Sequence, residues 1–234
     1  RDATSHIKVS LTKISINNFR CFENVDLLLT PGINFFYGQN GSGKTSILES
    51  VFIFSSGKSF KSSNIASLIN YEHKKFLLKG YDSIKGYIVE IEKNENKPIS
   101  VMLNNKKITA SRLTKEFPCT PIHNNTFSFA DAPPDFRRKL LDRSIFISEE
   151  SFSECWFSYY RSLKQRNSLL KNNRISDIYT WNVKLSDEGN KLNDMRRNFF
   201  NKTIEEFNYL TDLVKPNAVF DFLDVIEIKF FQGW

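Results

Sequence analysis

The stretch that decides the fold reads Gly38-Gln39-Asn40-Gly41-Ser42-Gly43-Lys44-Thr45, which matches the phosphate-loop pattern G-x-x-x-x-G-K-[ST]. Glycines allow consecutive backbone N–H groups to curl around an anion without clashes between side chains. In this pattern the Lys44 ammonium reaches the β- and γ-phosphates, and the Thr45 hydroxyl is a ligand of Mg²⁺. The stretch therefore predicts that the chain binds a nucleoside triphosphate together with Mg²⁺.

The residues on either side give this loop the setting it requires. Upstream, residues 33–37 (INFFY) are mostly apolar and aromatic, which predicts a buried strand. Downstream, residues 46–53 (SILESVFI) carry apolar side chains at the spacing of an amphipathic helix. A strand, a glycine loop and a helix in this order place the phosphates at the N-terminus of the helix.

The overall composition is that of a globular protein with a basic surface. Of its 234 residues, 40% are hydrophobic and 25% are charged, which is ordinary for a folded domain. The net charge of +7 and the sequence pI of about 9.2 favour a polyanionic partner such as DNA or RNA, or an anionic membrane surface. The alternative is a mildly basic surface whose charges are evenly spread.

Cysteine usage and hydropathy point to the cytoplasm. Cys21, Cys119 and Cys155 are odd in number and form no C-x-x-C pair, which argues against disulfides and zinc and favours a reducing compartment. No apolar run approaches the length of a membrane span, so no membrane association is expected. Polar residues 1–7 are interpreted as a cloning scar or a disordered start.

The periodicity divides the chain into two lobes. Residues 8–115 are predicted to form the lobe that binds the nucleotide, the ATP-binding lobe of the family introduced below, with strands at 8–16, 25–29, 76–78, 86–92 and 99–103. Residues 116–234 form a mainly helical lobe, with helices predicted at 136–146, 150–172 and 181–214 and a C-terminal strand at 219–231. Between strands of the first lobe, the small, polar and basic residues 55–63 predict a mobile loop near the nucleotide.

The helix predicted at 150–172 carries the clearest signal for nucleic-acid contact. Between Cys155 and Asp177 the sequence contains no acidic residue, whereas five basic ones occur there: Arg161, Lys164, Arg166, Lys171 and Arg174. Helical spacing places Arg161, Lys164 and Lys171 on one face, and Trp156, Tyr160, Leu163 and Leu170 on another. The alternative is a solvated basic face above an aromatic stripe that packs in the core.

Two arginines near the start of the preceding helix have two possible roles. Arg138 and Asp142 are four residues apart, a spacing that predicts an ion pair on the helix surface. Arg137 or Arg138 could instead face a phosphate or a partner subunit.

A Walker B strand, four apolar residues that end in an acid, is missing, because residues 220–224 (FDFLD) and 176–177 (SD) do not fit it. No catalytic residue is therefore assigned.

Several motifs together resemble one family, bacterial RecF, a recombination mediator with an ABC-type ATPase head. They are Asn18-Phe19-Arg20, residues 31–35 (PGINF), Lys58-Ser59-Phe60-Lys61, residues 134–142 (PDFRRKLLD), residues 163–170 (LKQRNSLL) and residues 231–234 (FQGW). The R-R-x-h-L-D and L-K-Q-R-N motifs are far more specific than the phosphate loop, and the resemblance covers the chain from about residue 8 to its end.

The resemblance implies an α/β fold, a P-loop NTPase of the ABC/SMC-head type with a mixed sheet and a helical lobe. It implies that ATP is sandwiched between two heads of a homodimer, which clamps DNA at duplex/single-strand junctions with RecR as partner. The activity it implies is a weak DNA-dependent ATPase in recombinational repair, replication restart and the SOS response. The implied nucleotide-binding residues are Gly38, Gln39, Asn40, Gly41, Ser42, Gly43, Lys44, Thr45, Ser46 and Arg20, with Thr45 also on Mg²⁺. Candidates for DNA or dimer contact are Lys58, Lys61, Arg137, Arg138, Arg161, Lys164, Arg166 and Lys171.

This chain departs from the family pattern in three places. Lys58 and Lys61 stand where relatives tend to carry arginine, which removes planar bidentate reach. His123-Asn124-Asn125 stands where the family usually has proline and an acid. The signature motif and Walker B of the family lie beyond the Gln-Gly-Trp turn, so we expect a truncated head that binds ATP weakly and does not hydrolyse it.

Other readings of the same motifs remain open. One is the ATPase head of an OLD-type nuclease or another ABC-like DNA-processing protein, which shares the N-F-R and phosphate-loop features. A nucleotide-free interaction module with a vestigial loop is the second. A subunit of an ABC transporter is the least expected, because the sequence offers no obvious docking surface for a membrane partner.

Overall fold

A computed structural model describes residues 11–122, 132–173, 178–214 and 226–231. The chain divides into two compact units, Arg1–Phe127 and Ser128–Trp234. The predictions for residues 1–10, for the His123-Asn124-Asn125 departure and for the two Walker B candidates lie outside the described residues. In the part of the chain that is described, no helix combines the length and the apolar character needed to cross a membrane.

The first unit is built on a six-stranded sheet with the strand order β2-β1-β3-β4-β5-β6. The strands are β1 (Leu11–Phe19), β2 (Phe22–Leu28), β3 (Lys75–Asp82), β4 (Tyr87–Asn94), β5 (Ser100–Leu103) and β6 (Lys106–Lys107). Each neighbouring pair is antiparallel. Buried and exposed side chains alternate along β3 and β4, as expected for a sheet with one face on the core. The predicted meander of strands between residues 76 and 103 is confirmed.

The helix α1 (Lys44–Ser56) supplies the other half of this core. Its Ile53 and Phe54 are fully buried in one cluster with Ile14 and Leu78 from the sheet. A short helix that the sequence did not predict, α2 (Ala110–Glu116), holds the end of α1. The Thr114 hydroxyl donates to the Ser55 carbonyl at 2.8 Å, so the orientation of α1 is fixed at its C-terminal end.

The strand predicted at residues 33–37 is wrong. No strand is present there, and Ile33, Phe35 and Tyr37 are 78%, 82% and 94% exposed. The composition favours a strand, but a strand also needs a neighbour to hydrogen-bond with, and none of the described strands pairs with this segment. All strand pairs among the described residues are antiparallel, so these residues contain no parallel pair of the predicted mixed sheet. Of the predicted C-terminal strand, residues 219–225 lie outside the described residues, and residues 226–231 are not paired as a strand.

The second unit contains the three predicted helices, α3 (Pro134–Ser148), α4 (Phe152–Lys171) and α5 (Ile178–Val214). Pro133 precedes α3 and Pro134 occupies its first turn, where a missing N–H costs no hydrogen bond. The core of this unit is formed by one buried residue from each helix, Ile145, Phe152 and Leu192.

Polar side chains interrupt the apolar contact between α4 and α5. Glu188 accepts hydrogen bonds from Ser158 and from the buried Ser162, the latter at 2.6 Å. Burial acts to raise the pKa of Glu188, but the two hydroxyl donors, with Lys184 and Lys191 nearby, outweigh it and hold that pKa below its ordinary value. The carboxylate therefore stays charged, and its hydrogen bonds fix the register of the two helices.

The ion pair predicted between Arg138 and Asp142 is wrong. Asp142 lies on the buried face of α3 and accepts two hydrogen bonds from Arg196 of α5, at 2.7 and 2.8 Å. Arg138 instead pairs with the exposed Asp135 at 2.8 Å. Helical spacing gives the residues within reach along one helix, but here the buried carboxylate faces a neighbouring helix and takes the bidentate partner there.

We expect Arg196→Met to destabilise the protein because it leaves the buried Asp142 carboxylate without its partner. The expected loss in the free energy of unfolding is about 2–4 kcal/mol, measured by urea denaturation. Arg138→Met is the matched control, since its ion pair is exposed and should change that free energy by less than about 1 kcal/mol. Equal effects of the two substitutions would contradict the assignment of Asp142.

Candidate nucleotide-binding site

The phosphate loop has a backbone that only glycine adopts without strain at its key positions. The φ angles are +84° at Gly41 and +90° at Gly43. Gly43 is also the N-cap of α1, and no side chain caps the helix there. The first helical hydrogen bond runs from Ile47 N to Gly43 O at 3.0 Å, so the N–H groups of residues 44–46 precede the helical ladder. The loop therefore ends in a set of N–H groups at a helix N-terminus, which is an anion-binding arrangement.

Lys44 is directed back over this loop. Its ammonium group donates to the carbonyl oxygens of Gly38 at 2.9 Å and Gln39 at 2.7 Å. These bonds hold the positive charge at the mouth of the loop, next to the free N–H groups. Thr45 is exposed on the first turn of α1, as a magnesium ligand must be. The donor set fits the triphosphate and Mg²⁺ predicted from the sequence.

The turn between β1 and β2 lies directly behind the last glycine of the loop. A Cβ atom on Gly43 would overlap the Phe22 ring and would lie 3.0 Å from Cys21 Sγ. The absence of a side chain at Gly43 thus serves a second purpose, because it allows the turn to pack against the loop backbone.

Arg20, predicted as a nucleotide ligand, belongs to this turn and is held by Glu49 of α1. Its Nε donates to Glu49 Oε2 at 2.9 Å and its Nη2 donates to Oε1 at 3.0 Å. Glu49 is 1% exposed and also accepts a hydrogen bond from the Ser59 hydroxyl. Glu49 and Ser59 were not predicted as site residues. One signal was present, since Glu49 is the single acidic residue between Asp26 and Glu72 in the sequence.

The loop that follows α1 carries two of the candidate cations. Lys58 and Lys61 are exposed, whereas Phe60 packs edge-on against Phe52 of α1 with ring centroids 5.7 Å apart. Ser59 Oγ accepts hydrogen bonds from the backbone N–H groups of Lys61 and Ser62, both at 2.9 Å. The loop predicted to be mobile is thus tethered to α1 at Ser59 and Phe60.

The remaining candidates lie on α3 and α4 of the second unit. Arg161, Lys164 and Lys171 are exposed along one face of α4, and the exposed Phe157 lies on that face one turn before Arg161. Arg166 points elsewhere, because its Nε donates to Asn182 Oδ1 of α5 at 2.7 Å. Arg137 and Arg138 are exposed in the first turns of α3, and Arg174 lies outside the described residues.

A family model described as an AAA domain matches residues 13–223. The chain belongs to the AAA domain family. The chain is similar along nearly its whole length to the protein named "DNA replication and repair protein RecF" of Pseudoalteromonas translucida (strain TAC 125). The two are 32% identical over 240 residues, which cover 97% of this chain and 62% of the relative. The resemblance to RecF is confirmed, and the chain spans 62% of the length of that relative.

Solved structures confirm the fold. A structure described as "recombination mediator protein RecF-ATP in RecFOR pathway" superposes with a TM-score of 0.75 at 24% identity, covering 90% of this chain and 58% of that one. A Smc head domain from Pyrococcus furiosus, with an extended coiled coil and a bound ScpA domain, superposes with a TM-score of 0.55 at 17% identity, covering 88% and 64%. These similarities establish a P-loop NTPase fold of the ABC/SMC-head type.

The packing of Phe22 on Gly43 leads to a prediction about stability. Gly43→Ala should lower the free energy of unfolding by about 2–4 kcal/mol, because it adds both backbone strain and a clash with Phe22. Gly57→Ala, at the other end of α1, is the control, since Gly57 has φ +63° but open space around its missing Cβ. The control should show the backbone penalty of about 1–2 kcal/mol alone. The same stability of both variants in urea denaturation would contradict the close packing of the Phe22 ring on Gly43.

Proposed function

We propose that the protein is an ATP-dependent DNA-binding clamp of recombinational repair and replication restart. The observation that carries the proposal is the phosphate loop, whose left-handed glycines leave the N–H groups of residues 44–46 free beside the Lys44 ammonium. The names of the relatives, which associate RecF with DNA replication, repair and recombination, support the same function. In the intact protein we assign it a weak DNA-dependent ATPase activity in the cytoplasm.

The loop would bind ATP through backbone and side-chain donors acting together. The N–H groups of residues 44–46 would donate to the phosphate oxygens, and Lys44, which here donates to two loop carbonyls, would donate to the β- and γ-phosphates. Thr45 offers its hydroxyl to Mg²⁺, which supplies charge neutralisation on the phosphates when it is bound. These residues bind and orient the nucleotide.

ATP would also bring two heads together. Residues 38–42 are exposed, and so are Lys58 and Lys61, which leaves this side of the first unit open to a second copy. A nucleotide that contacts both copies favours the dimer by its extra affinity for that state. RecR, which the family resemblance implies as a partner, belongs to the same proposal. No general base is assigned, because residues 176–177 and 220–224 do not match a Walker B strand.

DNA would bind along the exposed basic face of α4. Three cations on the outer face of the sheet are already neutralised, because Lys13, Lys75 and Lys79 pair with Asp26, Glu92 and Glu90 at 2.9, 3.2 and 2.6 Å. Arg161, Lys164 and Lys171, by contrast, are exposed in a stretch of sequence without any acidic residue. A basic strip of this kind attracts the phosphates of DNA and releases their counterions. At its start, the exposed Phe157 offers a ring on which an unpaired base of a junction can stack.

We predict that Lys44→Ala weakens the binding of a fluorescent ATP analogue at least about tenfold, because it removes charge-assisted hydrogen bonds to the phosphates. The measurement is a fluorescence titration of the whole chain in the presence of Mg²⁺. Lys75→Ala removes a paired lysine of the same unit and should leave the affinity unchanged. A failure of the unmodified chain to bind the analogue would favour a nucleotide-free interaction module.

We also predict that the double substitution Arg161→Ala/Lys164→Ala weakens binding to a duplex/single-strand junction. The slope of log K against log salt concentration should become shallower by about 1–2, as expected for two lost phosphate contacts. The control Lys13→Ala/Lys79→Ala changes the net charge equally but removes cations that are already paired. An unchanged slope in the α4 variant would show that this face is solvated and does not contact the phosphates of DNA.

A further inference from the structure

Glu49 is a buried charge that the proposed phosphate contacts do not use. It lies on α1, five residues after Lys44, and is 1% exposed. A carboxylate is buried at such a position only when hydrogen bonds or an opposite charge compensate for the lost water. The groups that compensate it come from two segments distant in sequence, so the carboxylate links three parts of the first unit.

The first link runs to the turn between β1 and β2. Arg20 donates two hydrogen bonds to the carboxylate, at 2.9 and 3.0 Å, a fork geometry that fixes the orientation of both groups. Arg20 also has φ +55°, a conformation that non-glycine residues seldom adopt, and its backbone N–H donates to the Leu68 carbonyl at 2.8 Å. The next two residues, Cys21 and Phe22, lie against Gly43. The Arg20–Glu49 pair therefore holds the turn that supports the phosphate loop from behind.

The second link runs to the loop after α1. The Ser59 hydroxyl donates to the same carboxylate and in turn accepts from the N–H groups of Lys61 and Ser62, both at 2.9 Å. A single side chain thus sets the direction of Ser59 and, through it, the backbone that carries Lys58 and Lys61. Loss of the carboxylate would free the Ser59 hydroxyl and loosen the segment at Lys61 and Ser62, whereas the packing of Phe60 on Phe52 and the hydrogen bonds between Ser56 and Lys58 do not depend on Glu49.

We propose that Glu49 is a positioning residue that fixes the phosphate loop and the basic loop 58–61 as one rigid assembly. Arg20 is its partner in this assembly and is assigned to positioning, in place of the direct nucleotide contact that the family resemblance implies. The part of this proposal that concerns affinity rests on the proposed binding of ATP. The part that concerns the loop does not.

The test is Glu49→Gln in the whole chain, with hydrogen exchange and nucleotide titration as readouts. The amide keeps the shape of the side chain but loses the charge and one acceptor, while Arg20 keeps its positive charge. We expect the backbone N–H groups of Lys61 and Ser62 to exchange about tenfold faster, measured by NMR, and the fluorescent ATP analogue to bind about tenfold more weakly. Glu90→Gln is the control, since it removes an equal charge from a half-exposed ion pair on the outer face of the sheet. It should change neither readout.

Variants of Ser59 separate the loop from the buried charge. Ser59→Ala leaves the Arg20–Glu49 pair intact, so the fold is retained, and it should raise the exchange rates of Lys61 and Ser62 about tenfold. Ser59→Thr keeps a hydroxyl and should restore the slow exchange, which a general loss of stability would not do. Slow exchange at both amides in Glu49→Gln and Ser59→Ala would overturn the proposal.

The two proposals fail in different ways. If the unmodified chain does not bind the ATP analogue, the proposed function is contradicted, and the exchange rates of Lys61 and Ser62 still decide whether Glu49 fixes the loop. If the unmodified chain binds the analogue and Glu49→Gln binds it equally well, nucleotide binding stands and the role of Glu49 in positioning the phosphate loop is overturned, while the exchange rates decide its role in the loop 58–61.

Discussion

The close approach of the Phe22 ring to Gly43 is the constraint on which the first unit depends. The ring occupies the space that any side chain at position 43 would need, so the turn between β1 and β2 can pack against the phosphate loop only because that residue is glycine. The same residue, at φ +90°, starts α1 without a side-chain cap. One missing side chain thus joins the sheet to the loop and leaves the helix N-terminus free for an anion.

Two buried carboxylates and one half-buried one hold the elements within each unit together. Glu49 connects α1 to a turn and a loop, Asp142 connects α3 to α5, and Glu188 connects α5 to α4. In each case the partner lies on a different segment of the chain. The interaction therefore fixes the tertiary geometry and adds little to the stability of the helix that bears the carboxylate. A buried carboxylate with a specific donor set tolerates few alternative arrangements, because any shift leaves a charge without its hydrogen bonds. The exposed cations of α4 have no such role, which leaves them available for a polyanion.

Local sequence patterns predicted the helices, the meander and the phosphate loop, because each depends on periodicity or on a motif a few residues long. The strand at 33–37 was wrong because aromatic composition does not reveal whether a neighbouring strand is present. The partner predicted for Asp142 was wrong for a related reason. The actual partner, Arg196, lies 54 residues away, and spacing within one helix cannot identify it. The α2 helix, with seven residues, is too short to show a helical period. Glu49 was detectable as a lone acid in an apolar helix, but its two partners depend on how the turn and the loop fold back onto α1.

The proposed function depends on phosphate binding by the backbone N–H groups at the start of α1. The amide chemical shifts of the ¹⁵N-labelled chain during titration with ATP and Mg²⁺ report on these groups one by one. We expect the largest changes at Gly41, Gly43, Lys44 and Thr45, with smaller changes at Phe22 and in the loop 58–61. Shift changes confined to other residues, or a spectrum that ATP leaves unchanged, would contradict phosphate binding by these groups.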